Sequence, residues 1–250
     1  MSEPAFLALA DGRRLAFRQV PGKAPGVLFC GGYTSDMTGT KATALEASCR
    51  ERGRAYARFD YSGHGVSSGD FAEGTIGDWA GDALAVLDRA AAGATVVVGS
   101  SMGGWIMLLL ALARPERVCG LVGIAAAPDF TEDLLLPQAT LEQRRALADQ
   151  GYWMQPSPYG EPYPVTRRLL EEARAHLMLR GPIPIGCPVH LLHGQRDPDV
   201  PWGTALRLAE RLQSDEVTIE LIKAGDHRLS SERDLARIKA AIERLAEDAR

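Results

Sequence analysis

The chain has 250 residues, 46% of them hydrophobic and 24% charged, and this composition excludes an intrinsically disordered protein. The chain contains 28 Lys and Arg residues and 32 Asp and Glu residues, so its net charge is −4. This charge gives no electrostatic basis for binding nucleic acid or an anionic membrane surface. The four cysteines form no CxxC pair, and the longest apolar run, 105–113, is too short to cross a bilayer. With no secretory signal at the N-terminus, these features predict a cytoplasmic protein.

From about residue 26, short apolar runs alternate with longer helical patterns, which is typical of βαβ units and a parallel sheet. Before them, Asp11-Gly12 is a hairpin signal that predicts antiparallel strands at 5–10 and 14–20. Further strands are predicted at 26–30, 55–60, 95–98, 119–126, 189–193 and 217–222. Helices are predicted at 40–52, 76–92, 102–113 and 231–249.

Residues 128–186 interrupt this alternation, because they contain helical patterns at 131–149 and 165–180 but no convincing strand. A structureless loop of that length is improbable in a compact domain. We therefore predict a helical cap at 128–186, inserted into a core formed by residues 1–127 and 187–250.

The segment 96–105 reads Val-Val-Val-Gly-Ser-Ser-Met-Gly-Gly-Trp, which has the form strand, G-x-S-x-G, apolar helix. This pattern predicts a nucleophile elbow, where a sharp turn projects a serine hydroxyl above the sheet at a helix N-terminus. The G-x-S-x-G spacing, with its glycines at 99 and 103, makes Ser101 rather than Ser100 the serine of the motif. A second G-x-S-x-G match at 65–69 opens no apolar helix, so Ser67 is predicted to be a loop residue.

A serine nucleophile needs a base, and the base needs an acid that orients it. Among the five histidines, His227 follows the last predicted strand, and the chain order serine, acid, histidine expected for this elbow selects it. Asp197 and Asp199 both lie in the loop after the strand at 189–193, and either could reach the imidazole. Asp199 lies nearer the next helix and fits the role of its N-cap, so Asp197 is predicted to be the acid.

Catalysis at such a serine also requires donors aimed at the developing oxyanion. The backbone N–H of Met102 directly follows the nucleophile and is the first predicted donor. The second should come from the loop 31–34, where Tyr33 follows two glycines that let the backbone approach closely. The alternative interpretation of those glycines is a plain tight turn.

The motifs at 31–33, 58–63 and 99–105, together with His193, Asp197 and the Val-Pro-Trp string at 200–202, resemble those of the α/β-hydrolase family. More narrowly, they resemble the branch of mitochondrial acyl-protein thioesterases that also act on acyl glucuronides. The resemblance implies an α/β fold with an eight-stranded, mostly parallel sheet, flanked by helices and carrying an inserted cap.

The same resemblance implies hydrolysis of carboxylic esters or thioesters through an acyl-enzyme, with no cofactor and no metal. Ser101 would be the nucleophile, Asp197 the acid and His227 the base. The chain departs from the mitochondrial branch in having no N-terminal transit extension, so a bacterial cytoplasmic protein is expected.

Apolar runs in the cap at 134–136, 152–154 and 177–179 predict a slot for an acyl chain, with Leu135, Trp153 and Met178 as its candidate lining. The alternative is that these side chains only pack the cap onto the core. The expected partner is a small-molecule ester or thioester or an S-acylated protein, with no nucleic acid and no stable membrane association. A non-catalytic ligand-binding protein and a peptidase of the same fold stay open as alternative functions.

Overall fold

The computed structural model describes residues 3–91, 93–157 and 160–248, so the predicted helix ends at 92 and 249 lie outside the described residues. The strands are β1 (Ala5–Ala8), β2 (Arg14–Val20), β3 (Lys23–Cys30), β4 (Arg54–Phe59), β5 (Thr95–Ser100), β6 (Val118–Ile124), β7 (Tyr152–Gln155), β8 (Tyr163–Thr166), β9 (Val189–Gly194) and β10 (Val217–Ile222). The α-helices are α1 (Thr40–Glu51), α2 (Ile76–Arg89), α3 (Met102–Ala113), α4 (Leu136–Gln138), α5 (Leu141–Gln150), α6 (Arg167–Ala173), α7 (Gly203–Arg211) and α8 (Glu232–Asp248).

Eight of the strands form one sheet in the order β1-β2-β4-β3-β5-β6-β9-β10. Strand β2 pairs antiparallel with β1 and β4, and the remaining neighbours pair parallel. This is the mostly parallel eight-stranded sheet that the sequence predicts. Since the carboxyl ends of the parallel strands share one edge, the loops after β3, β5, β9 and β10 meet there.

The valine run in β5 is buried on both faces of the sheet, because β5 lies between β3 and β6. Val97 packs into the cluster that also contains Trp79 of α2 and Trp105 of α3. Val96 and Val98 point the other way, into the cluster that contains residues of α1 and α8. The helices therefore cover both faces, and Ser101 directly follows a strand at the centre of the sheet.

The segment 128–186, called the cap segment below, lies between β6 and β9 and contains α4, α5 and α6. It also contains an antiparallel two-stranded sheet formed by β7 and β8, so the prediction of no strand there is wrong. Each strand has only four residues, and Pro164 sits in β8 opposite Met154, a position that only a sheet edge tolerates. The division of the chain into core and cap at these boundaries stays a prediction.

Polar contacts hold the stretch after α6 in place, both within the cap segment and against the core. The carboxylate of Asp129 is inaccessible to solvent and accepts the backbone N–H groups of Met178 (2.7 Å) and Leu179 (2.9 Å). The indole of Trp105 donates to the carbonyl of His176 at 2.9 Å. The bond from Trp105 ties this stretch to α3, whereas the bonds to Asp129 lie within the cap segment.

Candidate active site

Ser101 lies at a sharp turn between β5 and α3 and has φ 54° and ψ −119°, a left-handed backbone conformation that costs energy for a residue with a side chain. The turn is possible only because its neighbours lack side chains. A Cβ on Gly99 would lie 2.2 Å from the carbonyl oxygen of Gly103, and a Cβ on Gly103 would lie 2.1 Å from that of Cys30. The glycines of the motif therefore let the strand, the turn and the helix pack closely enough to hold the strained serine.

The structure brings the three predicted side chains into one hydrogen-bonded chain. His227 Nε2 lies 3.1 Å from Ser101 Oγ, and His227 Nδ1 lies 2.8 Å from Asp197 Oδ2. The loops that carry the acid and the histidine are themselves joined, because the Arg196 N–H donates to the carbonyl of Gly225 at 2.9 Å. This geometry matches a base poised to take the hydroxyl proton while a carboxylate holds its other nitrogen.

The Asp197 carboxylate is fully buried, and each of its oxygens accepts hydrogen bonds. Oδ1 accepts the backbone N–H groups of Asp199 (2.8 Å) and Val200 (2.9 Å), and Oδ2 accepts from His227. Burial by itself would raise the pKa of Asp197, but the bonds from His193 and His227 outweigh burial and hold the pKa well below its usual range. Asp197 is therefore a carboxylate at neutral pH, as an imidazolium partner requires.

His193 is a contact of the acid that the sequence analysis missed. Its side chain is 1% exposed, and its Nε2 lies 3.3 Å from Asp197 Oδ2 and 3.0 Å from the carbonyl of Val200. The signal was present in the sequence, because His193 ends the strand four residues before Asp197.

Asp199 does not cap the next helix, so that prediction is wrong. The N-cap of α7 is Trp202, which makes no side-chain capping hydrogen bond. Asp199 instead lines the cavity above Ser101, and its carboxylate lies within 4.8 Å of ligand atoms on Asp197 and His227. In the described part of the chain this is the one set of three groups that a metal ion could join, and two of its members are already bonded to each other.

The two predicted oxyanion donors lie beside the serine. Gly32 is packed against Ser101, since a Cβ there would lie 3.4 Å from Ser101 Cβ. Tyr33 follows it, Met102 begins α3, and both line the same cavity as Ser101. Among the described residues neither of these two backbone N–H groups donates a hydrogen bond, so both are available to a ligand oxygen.

A cavity of about 770 Å³ opens above Ser101 and is walled by the loops after β3, β4, β9 and β10 together with the cap segment. Leu135 lines it, as predicted, next to Leu134 and Phe130. Trp153 and Met178 are not among its described lining residues. Trp153 is 2% exposed and packs with Val165 and Leu170 inside the cap segment, and Met178 packs into the main core.

One end of the cavity carries positive charge next to His227. Lys41, at the start of α1, lines the cavity and donates its ammonium hydrogen to the carbonyl of Arg228. Burial and, to a smaller extent, the nearby Arg228 charge lower the pKa of Lys41 to about 8, although the Asp226 charge opposes them. If His227 is the base predicted from the sequence, it returns its proton to the leaving group, and this end of the cavity would adjoin the leaving-group side of a substrate.

The serine of the second G-x-S-x-G match has a structural role, as predicted. Ser67 Oγ donates to the carbonyl of Asp60 at 2.7 Å and accepts the Ala16 N–H at 2.8 Å, which ties the loop after β4 to β2. In the same loop His64 is 4% exposed, and burial lowers its pKa to about 4 despite a hydrogen bond to the Ser62 carbonyl.

Comparisons with known proteins agree with this architecture. The family described as "Alpha/beta hydrolase family" matches residues 27–241. The chain is 42% identical over 243 residues to the human mitochondrial palmitoyl-protein thioesterase ABHD10, covering 96% of this chain and 79% of that protein. A putative hydrolase from Agrobacterium vitis S4 is 43% identical with a TM-score of 0.93, covering 98% of both chains. Mouse alpha/beta hydrolase domain-containing protein 10 is 40% identical with a TM-score of 0.92, covering all of both chains.

These comparisons confirm the predicted fold class and the prediction of a hydrolase, and they correct the predicted location. The prediction of a cytoplasmic protein is contradicted, because the curated relatives at 42% identity are named as mitochondrial. Within the described residues no helix is long and apolar enough to span a membrane. The family match extends over residues 27–241, and the alignment with the human relative covers 96% of this chain. The chain therefore belongs to the α/β-hydrolase family.

Proposed function

We propose that this chain hydrolyses carboxylic esters and thioesters through an acyl-enzyme on Ser101, with His227 as the general base and Asp197 as the orienting acid. The observation that carries the proposal is the chain of hydrogen bonds from Asp197 through His227 to Ser101 Oγ, with two unused backbone N–H groups beside it. The relatives named as palmitoyl-protein thioesterases support the thioester part of the proposal.

In the first half of the reaction, His227 Nε2 takes the hydroxyl proton as Ser101 Oγ bonds to the carbonyl carbon of the substrate. The negative charge that develops on the carbonyl oxygen is accepted by the N–H groups of Tyr33 and Met102. The carbon–heteroatom bond then breaks, and the imidazolium returns its proton to the departing alcohol or thiol. A thiol has a free pKa of about 8.5, so a thioester depends less on that proton than an ester does.

In the second half, a water molecule gives a proton to His227 and attacks the acyl carbon, and Ser101 leaves with the proton. The carboxylate of Asp197 stabilises the imidazolium in both halves. Leu134 and Leu135 line one side of the cavity, and these apolar side chains favour an acyl chain as the group that stays on the enzyme. The acyl chain would come from a small-molecule substrate or an S-acylated protein.

The test is a series of 4-nitrophenyl esters and matching thioesters of increasing acyl length. Each buried methylene is worth about 0.8 kcal/mol, so kcat/KM should rise about fourfold per methylene until the slot is full. Ser101→Ala should abolish turnover, whereas the matched variants Ser100→Ala and Ser67→Ala should retain it. The proposal is wrong if the wild-type protein turns over none of these substrates. If kcat/KM does not change with acyl length, or is highest for the acetate, the protein has no acyl slot.

A further inference from the structure

Gln155, the last residue of β7, lines the cavity with its amide held in one orientation. Its Oε1 accepts two hydrogen bonds inside the cap segment, from Trp153 Nε1 at 3.0 Å and from Gln143 Nε2 at 3.2 Å. An indole N–H can only donate, so the amide atom facing Trp153 has to be the oxygen. The amide nitrogen of Gln155 therefore faces away from both partners.

The orientation of Gln143 is set independently. Its Oε1 accepts the backbone N–H of Thr140 at 2.8 Å, within the capping box that begins α5. A backbone N–H is also a donor only, so the Gln143 amide must present its nitrogen to Gln155. Two donor-only groups thus fix the direction of the whole hydrogen-bond relay.

The relay ends in two N–H groups on Gln155 Nε2, which have no hydrogen-bond partner among the residues that the structure describes. That nitrogen is also absent from the buried, unsatisfied side-chain atoms, so it is accessible. Leu135, which lines the cavity too, packs against the small cluster that contains Trp153. The wall of the proposed acyl slot consequently contains a fixed hydrogen-bond donor next to an apolar side chain.

We propose that Gln155 is a specificity-determining residue that donates a hydrogen bond to an acceptor oxygen in the acyl group of the substrate. The preferred substrates are then esters or thioesters of acyl groups that carry an ether, carbonyl or hydroxyl oxygen, rather than plain alkyl chains of the same length. Trp153, although it does not line the cavity, acts as a positioning residue for this amide. The inference rests on the proposed function, because it concerns the acyl group that Ser101 would receive.

The test compares 4-nitrophenyl heptanoate with analogues in which one methylene, at successive positions, is replaced by an ether oxygen, which accepts a hydrogen bond and cannot donate one. The measured quantity is the ratio of kcat/KM for the ether ester to that for the alkyl ester. Intrinsic ester reactivity cancels when this ratio is compared between proteins. At the position where the ether oxygen reaches the Gln155 amide, the ratio should be about fivefold higher in the wild-type protein than in Gln155→Leu, as expected for one neutral hydrogen bond.

Gln155→Glu, which keeps the shape but loses both donors, should lower the ratio as Gln155→Leu does. Trp153→Phe should lower it partly, because Gln143 alone would then hold the amide. Gln150→Glu is the matched control, since it makes the same change at an exposed glutamine of the cap segment outside the cavity, and its ratio should equal that of the wild-type protein.

The inference is overturned if the ratio is the same in the wild-type protein and Gln155→Leu at every oxygen position, while both esters are hydrolysed. It is also overturned if Gln155→Glu keeps the wild-type ratio. If the wild-type protein hydrolyses none of these esters, the proposed function fails first and the inference falls with it.

Discussion

Replacing Asp197 by asparagine is expected to remove the base function of His227 without removing the imidazole. In the wild-type protein Oδ1 of Asp197 accepts two backbone N–H groups, from Asp199 and Val200. Those two donors would select the asparagine oxygen for the Oδ1 position, which puts the amide nitrogen at the Oδ2 position. There it would face His227 Nδ1 as a donor, so Nδ1 must lose its hydrogen and Nε2 must carry one.

A protonated Nε2 cannot accept the proton of Ser101. The expected loss in kcat/KM is about 10⁴, the size of the effect that the same change produces in serine proteases, and it corresponds to about 5.5 kcal/mol of transition-state stabilisation. The buried charge that stabilises the imidazolium is lost in the same step. Because the replacement is nearly isosteric, the melting temperature should show that the variant is folded.

The assay is hydrolysis of a 4-nitrophenyl ester by Asp197→Asn and by the matched variant Asp199→Asn. Asp199 lines the cavity, but the carboxylate 2.8 Å from His227 Nδ1 is that of Asp197, so loss of the Asp199 charge should cost about fivefold or less, the size of a solvent-screened charge interaction. A larger loss in Asp199→Asn than in Asp197→Asn would refute the assignment of the acid. So would an Asp197→Asn variant that keeps more than about one-hundredth of the wild-type rate.

Three further predictions concern stability and the oxyanion donors. His64 has a pKa of about 4 in the folded protein against about 6.5 in the unfolded chain. Its contribution to the free energy of unfolding is therefore complete above pH 6.5 and is lost as the pH falls toward 4. Denaturant unfolding should show about 2–3 kcal/mol of loss over that window, and His64→Phe should flatten it. Gly103→Ala should lower the free energy of unfolding by about 1–3 kcal/mol, because its Cβ would lie 2.1 Å from the Cys30 carbonyl oxygen. Gly81→Ala, at an exposed helix position where the added Cβ would meet no atom beyond its own helix backbone within 4 Å, should raise the free energy of unfolding by about 0.5–1 kcal/mol. Equal effects of the two substitutions would contradict the packing argument. Tyr33→Phe should keep kcat within about fivefold of the wild-type value, since it leaves the backbone N–H in place. A loss of 10²-fold or more would indicate that the phenol hydroxyl, and not the backbone N–H, stabilises the oxyanion.

The parts of the structure that local pattern determines could be predicted from the sequence. The consecutive valines of β5 need burial on both faces, which only a central parallel strand provides. The glycines around Ser101 permit the sharp turn, and the loops after successive parallel strands must meet at one sheet edge. This is why Ser101, Asp197 and His227, far apart in the chain, could be expected to lie together.

The parts that depend on tertiary contacts could not be predicted. Strands β7 and β8 have four residues each and gain their partners only from one another, so neither has a distinct periodicity. Trp153 and Met178 are apolar residues in an apolar stretch, and nothing in the sequence tells whether such a side chain faces a cavity or the interior of the cap segment. Asp199 precedes a helix, but α7 begins only after its N-cap Trp202, three residues further along the chain.

The most direct test of the central claim is covalent labelling of the wild-type protein with a fluorophosphonate, followed by mapping of the modified residue by mass spectrometry. One modified residue, Ser101, is expected, with no labelling of Ser101→Ala. Labelling of His227→Ala should be slow, because no base activates the hydroxyl in that variant. Modification at Ser67 or Ser100, or undiminished labelling of Ser101→Ala, would contradict the account.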